Sequence, residues 1–199
     1  MPNIPRKAGL TPDKVTLAAA GLADEIGFGA VTVSAVARRL GVRDASLYSH
    51  VRGLPDLRVR IALLAAGELG ERIGAAVAGR AGKDAFVAFA GAYRDYALEH
   101  PGRYAATQVR IDLSKVADTP ALRRNVELTH AMLHAYGLTE PDLTDAGRLV
   151  RSAIHGFSTL EATGGFGAPR DVEISWRRAL DALHLTLERW PRSGSSATP

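Results

Sequence analysis

Cysteine is absent from this chain of 199 residues, and long apolar runs are absent as well. The lack of cysteine excludes disulfide bonds and thiolate metal sites, and it is typical of proteins of the reducing cytoplasm. The longest apolar runs, such as the one that starts at Ile61, are too short to span a bilayer. No apolar stretch follows the basic residues near the N-terminus, as it would in a signal peptide. We therefore expect a soluble, cytoplasmic protein without a membrane partner.

Motifs of the common catalytic and cofactor-binding sites are missing too. The sequence contains no Gly-x-Ser-x-Gly elbow, no glycine-rich phosphate loop and no His-Glu-x-x-His motif. Hydrophobic residues nevertheless make up 46% of the chain, which is enough to build a globular core. We expect a folded protein that is not an enzyme and that needs no cofactor.

Positive charge is concentrated at the N-terminal end. Residues 1–60 hold nine lysines and arginines against five acidic residues, whereas residues 61–199 hold sixteen of each sign. The whole formal net charge of +4 therefore lies in the first sixty residues. A basic segment beside a neutral body indicates a polyanionic partner for that segment, although chance asymmetry of a solvated surface would give the same count.

Apolar residues recur with helical spacing almost throughout, and no sustained alternation indicates a strand. The pattern predicts an all-α fold of about nine helices, the first three short. We place a basic helical module at residues 1–56, a helical body at 57–191 and a disordered tail at 192–199. Residues 112–120 are predicted to form a loop.

The three short helices include a pattern centred on Gly41. Thr32 is a good N-cap for the helix that bears Val36 and Leu40, and Ala37 is small enough to let a second helix cross closely. Gly41 supplies the left-handed backbone that ends this helix. The spacing is that of a DNA-binding helix-turn-helix, and its alternative is an ordinary corner between two packed helices.

The second helix of this motif favours the DNA-binding interpretation. Its outward side chains are small or polar, which lets a helix enter a major groove. We assign Arg43, Ser46 and Ser49 to bases, and Tyr48 and His50 to phosphates. The full set of predicted DNA-binding residues is Thr32, Arg43, Asp44, Ala45, Ser46, Tyr48, Ser49 and His50.

The stretch AVTVSAVARRLGVRDASLYSHVRGLPDL resembles the N-terminal signature of the TetR family of one-component transcriptional regulators. The segment VRSAIHGFSTLEATGGFG resembles a helix with a His-Gly pair in one branch of that family. Two positions depart from the signature. Val51 replaces a usual aromatic residue, and Leu54 replaces a lysine that touches phosphate in the family. Arg52 or Arg58 would then have to replace that lysine.

The resemblance implies a homodimer that forms through the last two helices and binds a near-palindromic operator as a repressor. A small, largely apolar effector would release it. Apolar stripes suited to the dimer comprise Leu149, Ala153, Gly156 and Leu160 in one helix and Ile174, Leu180, Leu183, Leu187 and Trp190 in the other. Burial of these stripes within one chain is the alternative. A third possibility is a DNA-binding regulator that responds to a protein partner or that has no effector at all.

Aromatic residues, only 6% of the chain, line up at helical spacing in one segment. They predict an effector pocket, with a plain core stripe as the alternative. The candidate effector-binding residues are Phe86, Phe89, Tyr93, Tyr96, Tyr104, Met132, His155 and Phe157.

A carboxylate and two imidazoles, those of Glu127, His130 and His134, share one helix face at metal-ligand spacing. They define the alternative function, a helical-bundle metal-binding protein or metalloenzyme. No second Glu-x-x-His motif accompanies them, so we predict no metal site.

Overall fold

The computed structural model describes residues 9–109 and 119–191. Within these ranges the chain is all-α, as predicted, with one short 3-10 turn at Phe28–Ala30. The nine α-helices of the described residues are α1 (Pro12–Ile26), α2 (Val33–Leu40), α3 (Asp44–Leu47), α4 (Leu54–Val77), α5 (Gly82–Glu99), α6 (Pro101–Thr107), α7 (Pro120–His134), α8 (Asp142–Ala162) and α9 (Val172–Glu188). The predicted tail and most of the predicted loop at 112–120 lie outside the described residues.

None of the helices in the described ranges is long and apolar enough to cross a membrane.

The chain divides into two compact units. The first comprises the chain up to Ala65 together with α6, and the second comprises Ala66–Glu99 together with α7, α8 and α9. The division at Ala65 falls inside α4, nine residues beyond the boundary at 56 that we placed from the sequence.

The first unit is built on the ends of short helices. Thr11 caps α1 by accepting a hydrogen bond from the backbone N–H of Lys14 at 3.2 Å, and Gly27 ends α1 with a φ of 85°. Helices α1 to α4 then bury one apolar cluster, whose fully enclosed members include Val15, Val36, Ala37, Leu47, Leu57 and Ile61. These residues hold α2 and α3 at a fixed angle.

Helix α6 packs tightly against α1 in the same unit. A Cβ placed on Gly102 would lie 1.9 Å from the carbonyl oxygen of Ala23, so only glycine fits there. Beside this contact, one carboxylate oxygen of Asp24 accepts a hydrogen bond of 2.8 Å from the backbone N–H of Arg103. The other carboxylate oxygen lies 3.1 Å from Nε of Arg103 and 3.3 Å from Nδ1 of His100. Asp24 therefore fixes the start of α6.

The second unit places α5 against α7, α8 and α9. Half-buried Arg94 of α5 connects it to the last two helices: Nε and Nη2 donate to the carboxylate of Glu161 at 2.6 Å each, and Nη1 donates to Glu173 at 2.7 Å. Its guanidinium also lies 5.2 Å from the ring centre of Trp176. These hydrogen bonds raise the pKa of Arg94, so it stays charged.

Candidate nucleic-acid interface

Helix α2 begins and ends at the residues that the sequence indicated. The hydroxyl oxygen of Thr32 accepts a hydrogen bond of 3.1 Å from the N–H of Ala35. Gly41 ends the helix in the left-handed conformation, with a φ of 66°. The N–H of Val42 then bonds to the carbonyl of Ala37 at 3.0 Å, which closes the turn. The predicted cap and turn are confirmed.

Helix α3 follows the turn after two residues and packs through a single buried side chain, that of Leu47. Tyr48 is 60% exposed. Arg43, Asp44, Ala45, Ser46 and Ser49 are also exposed, and His50 is half-buried. The structure thus brings the predicted reading residues together on one short exposed segment, residues 43–50, which we call the reading segment. Their contacts with DNA remain a prediction.

Hydroxyl groups at this surface have distinct bonding capacities. Thr32 uses an oxygen lone pair for the cap, so its O–H can still donate to a phosphate. The hydroxyl of Ser49 donates to the carbonyl of Ser46 at 2.9 Å. The oxygen of Ser49 is therefore left to act as an acceptor, the kind of group that suits a base amino group.

One interaction at the interface was missed by the sequence reasoning. The hydroxyl of Ser34, on α2, donates to the carboxylate oxygen Oδ2 of Asp44 at the start of α3. Both side chains are exposed. The signal available in the sequence was weak, since it needed the crossing of the two helices to bring a serine and an aspartate ten residues apart into contact.

The arginines around the motif fall into two groups. Arg39 is paired with Glu25 at 2.6 Å, a hydrogen bond that lowers the pKa of Glu25. Arg58 donates to the carbonyl of Gly29 at 3.2 Å and lies over the ring of Phe28, so it braces the 3-10 turn. Arg43 and Arg52, which are exposed, lie on either side of α3.

Leu54, which departs from the family signature, begins α4 and packs against the core of the first unit. The side chain of Asp56 accepts a hydrogen bond of 2.9 Å from the backbone N–H of Arg52, and a second of 3.0 Å from Nε of Arg60. Partial desolvation raises the pKa of Asp56, but these two donors outweigh it and the net shift is downward. Of the two arginines proposed to replace the family lysine, the exposed Arg52 is the better placed.

The predicted effector residues are distributed over both units. Phe86, Phe89, Tyr93 and Tyr96 are buried along α5, and the hydroxyl of Tyr96 donates to Glu68 at 2.8 Å. Met132 is buried on α7, and Phe157 lies on α8 with its ring 4.9 Å from that of Trp176. His155 is half-buried on α8, and Tyr104 belongs to α6 in the first unit. An effector site at these residues stays a prediction.

The predicted dimer stripes are divided by the structure. In α9, Leu180 and Leu187 are buried within their own chain and Leu183 is half-buried, while Trp190 lies two residues beyond the end of the helix and is half-buried. Of the predicted stripe residues, Ile174 on α9 and Leu149 and Leu160 on α8 are exposed, and so is Leu185 on α9, which the stripes did not include. For Leu180 and Leu187 the alternative, burial within one chain, is therefore right. Gly156 remains on the outer side of α8, where a Cβ would meet no atom within 4 Å.

The metal-site alternative finds no support in the described residues. There, no three His, Cys, Asp or Glu side chains lie together in a way that could hold a metal ion. Glu127 and His134 are exposed on α7, and Nδ1 of His134 donates to the carbonyl of Leu138 at 3.0 Å. No cluster of the described residues therefore supports a metal centre on this helix face.

The fold and the reading segment together define a helix-turn-helix DNA-binding protein. Comparison with known proteins agrees. Residues 15–52 match the family described as bacterial regulatory proteins, tetR family, and residues 86–183 match the tetracyclin repressor-like, C-terminal domain. An HTH-type transcriptional regulator of Mycobacterium tuberculosis, Rv0681, is 36% identical over 163 residues, 81% of this chain and 75% of that protein. The chain belongs to the TetR family of DNA-binding transcriptional regulators.

Solved structures show the same fold at lower identity. A TetR variant from Acinetobacter baumannii AYE in complex with minocycline has a TM-score of 0.70 at 22% identity, over 93% of this chain and 100% of that one. BioQ with its double-stranded DNA operator has a TM-score of 0.63 at 21% identity, over 88% and 99% of the two chains. These likenesses confirm the overall architecture.

Proposed function

We propose that this protein is a homodimeric repressor that binds a near-palindromic operator and leaves it when a small, largely apolar effector binds. It acts on DNA in the cytoplasm and catalyses no reaction. The observation that carries this proposal is the reading segment. Its exposed polar side chains stand on a helix whose inner side is fixed by Leu47 and by the Gly41 turn.

The charge distribution supports DNA as the partner of this surface. The formal excess of positive charge lies in residues 1–60, and the exposed Arg43 and Arg52 flank α3. An arginine at the N-terminal end of a reading helix can reach guanine, other cationic side chains beside the helix contact phosphates, and short polar side chains along it reach base edges. We assign Arg43, Ser46 and Ser49 to bases, and Thr32, Tyr48 and His50 to phosphates.

The outer faces of α8 and α9 support the proposed two-fold dimer. Leu149, Leu160, Ile174 and Leu185 are large apolar side chains that remain 38–50% exposed in the single chain. Gly156 leaves room between the two leucines of α8 for a close helix–helix approach. A second copy of the same face would bury these side chains, and its symmetry would place two reading segments about 34 Å apart on one side of the DNA.

Release by an effector is supported by the aromatic stripe of α5 and by the likeness of fold to a TetR variant that binds minocycline. Phe89 stacks on Tyr93 with ring centres 6.4 Å apart. A ligand that displaces such side chains changes the packing of the second unit. Helix α4 belongs to both units, so it connects this change to the first. To act as an inducer, it must bind more tightly to the state that does not fit the operator.

Selection of bound DNA from a random pool tests this function. The protein should enrich a near-palindrome whose half-site centres lie about one helical turn apart. An enriched sequence without two-fold symmetry would contradict the dimeric mode of reading, and no enrichment at all would contradict sequence-specific binding. Repeating the selection after Leu149→Asp, which places a charge on the proposed dimer face, should abolish the palindrome.

A further inference from the structure

The contact between Ser34 and Asp44 places an oriented carboxylate on the reading segment. The two helices of the motif meet here, since Ser34 lies in the first turn of α2 and Asp44 is the first residue of α3. The serine hydroxyl donates to Oδ2 of the aspartate. The other oxygen, Oδ1, keeps its lone pairs for an outside donor.

A carboxylate facing DNA is repelled by the phosphates unless it meets a hydrogen-bond donor. In the major groove the base donors are the amino groups of cytosine and adenine, whereas guanine O6 and N7 and thymine O4 are acceptors. Adenine presents its N7 acceptor beside its amino group, which repels an anion, but cytosine presents a donor alone. Cytosine is therefore the base that a fixed carboxylate favours.

The serine gives this preference its geometry. A hydroxyl is neutral, so Ser34 orients the carboxylate of Asp44 and leaves its negative charge in place. An arginine partner would offset that charge. An oriented acceptor loses less side-chain entropy on meeting its base and discriminates more sharply between bases. Ser34 is thus a positioning residue, and Asp44 is the group that touches the base.

We propose that Asp44, oriented by Ser34, selects a cytosine in each half-site of the operator. This inference rests on the proposed function, because it requires α3 to lie in the major groove. The competing explanation is a purely structural tie between α2 and α3. The two differ in what they predict: a tie affects stability and all DNA sequences alike, whereas a reading contact affects one position.

The experiment starts from the sequence that the wild-type protein enriches. Binding is measured to duplexes that carry each of the four bases at every half-site position, for the wild type, Asp44→Asn and Ser34→Ala. The control, Asp13→Asn, removes the same charge from an exposed position in the first turn of α1. Melting temperatures of all four proteins report on the structural tie.

The wild type should bind about 10-fold more weakly when one cytosine is replaced. Asp44→Asn should lose that discrimination at this position and keep it elsewhere, and Ser34→Ala should lose part of it at the same position. Asp13→Asn should change affinity for all duplexes by one common factor. Should Asp44→Asn be too unstable to measure, Ser34→Ala decides the matter by the same position-specific readout.

An unchanged base profile in both variants would overturn the inference, as would a uniform loss with a lowered melting temperature. In either case the wild-type protein would still have enriched an operator sequence, so the proposed function would not be contradicted. If the wild type enriches no sequence, both the inference and the proposed function fail.

Discussion

The reading segment and the outer faces of α8 and α9 are both surfaces that a single chain leaves uncovered, but their chemistry is opposite. Residues 43–50 expose serines, an arginine, an aspartate and a tyrosine. The two long helices expose leucines, an isoleucine and a half-exposed glycine. Water solvates the first surface well and the second poorly.

The difference supports a different proposed partner for each surface. Polar side chains with unused donors and acceptors gain by meeting base edges and phosphates, which offer matching groups. Large apolar side chains are stabilised by burial away from water, and a symmetric contact with a second copy buries the same side chains on both chains. Each surface can be disrupted on its own, so separate substitutions test the two roles.

The largest effect is expected from Gly102→Ala, which removes the support of the first unit. The new methyl group would overlap the Ala23 carbonyl, so α6 must move away from α1 at a cost of about 3 kcal/mol. Urea unfolding should show this loss, and DNA binding should fall with it. The control, Gly91→Ala, adds a methyl group to a helix where nothing lies within 4 Å, and it should be neutral or slightly stabilising. Equal stability of the two variants would contradict the packing of α6 on α1.

Gly156→Leu should disrupt the other surface by blocking close approach of two copies of α8. The side chain points into open space in one chain, so the protomer should fold, while overpacking at the symmetric contact should weaken the dimer by about 2 kcal/mol, close to 30-fold. Sedimentation equilibrium measures the dissociation constant. Gly91→Leu is the matched control and should leave dimerisation unchanged. A dimer as tight as the wild type would place the interface elsewhere.

Arg43→Ala should weaken operator binding by about 1–3 kcal/mol and relax base preference at one position in each half-site. The guanidinium stands at the N-cap of α3, exposed toward the solvent. Competition binding with substituted duplexes measures both effects. Unchanged affinity and preference would remove Arg43 from the reading residues.

The smallest effect is expected from Tyr48→Phe. Loss of one neutral donor to a phosphate should weaken binding to every sequence by about 1 kcal/mol, without a change in base preference. The side chain is 60% exposed, so stability should stay the same. Binding to the operator and to an unrelated duplex at equal salt makes the measurement. A loss confined to the operator would instead make Tyr48 a base-reading residue.

The features that were predicted best from the sequence are those that depend on residues close together in the chain. Thr32 and Gly41 mark the ends of α2 because a cap and a left-handed turn depend on local backbone geometry. The inward positions of Val36, Ala37 and Leu47 followed from the same helical period. These local rules determine most of the helix-turn-helix that carries the reading segment.

Contacts between distant residues were beyond the same reasoning. Apolar spacing grouped Ile174 with Leu180 and Leu187, but only the packing of α9 shows that the last two are buried and that Leu185 is exposed. Arg94 meets its partner Glu161 across 67 positions of the chain. Periodicity says that a side chain faces inward or outward, and it does not say which neighbour covers it.

The mass of the protein–DNA complex tests whether two chains read one operator together. Native mass spectrometry is carried out with the enriched operator and with a duplex that holds one half-site. Two chains should bind the full operator, and binding to the half-site should be weak. A single chain on the full operator, with equal affinity for the half-site, would contradict the dimeric reading of DNA.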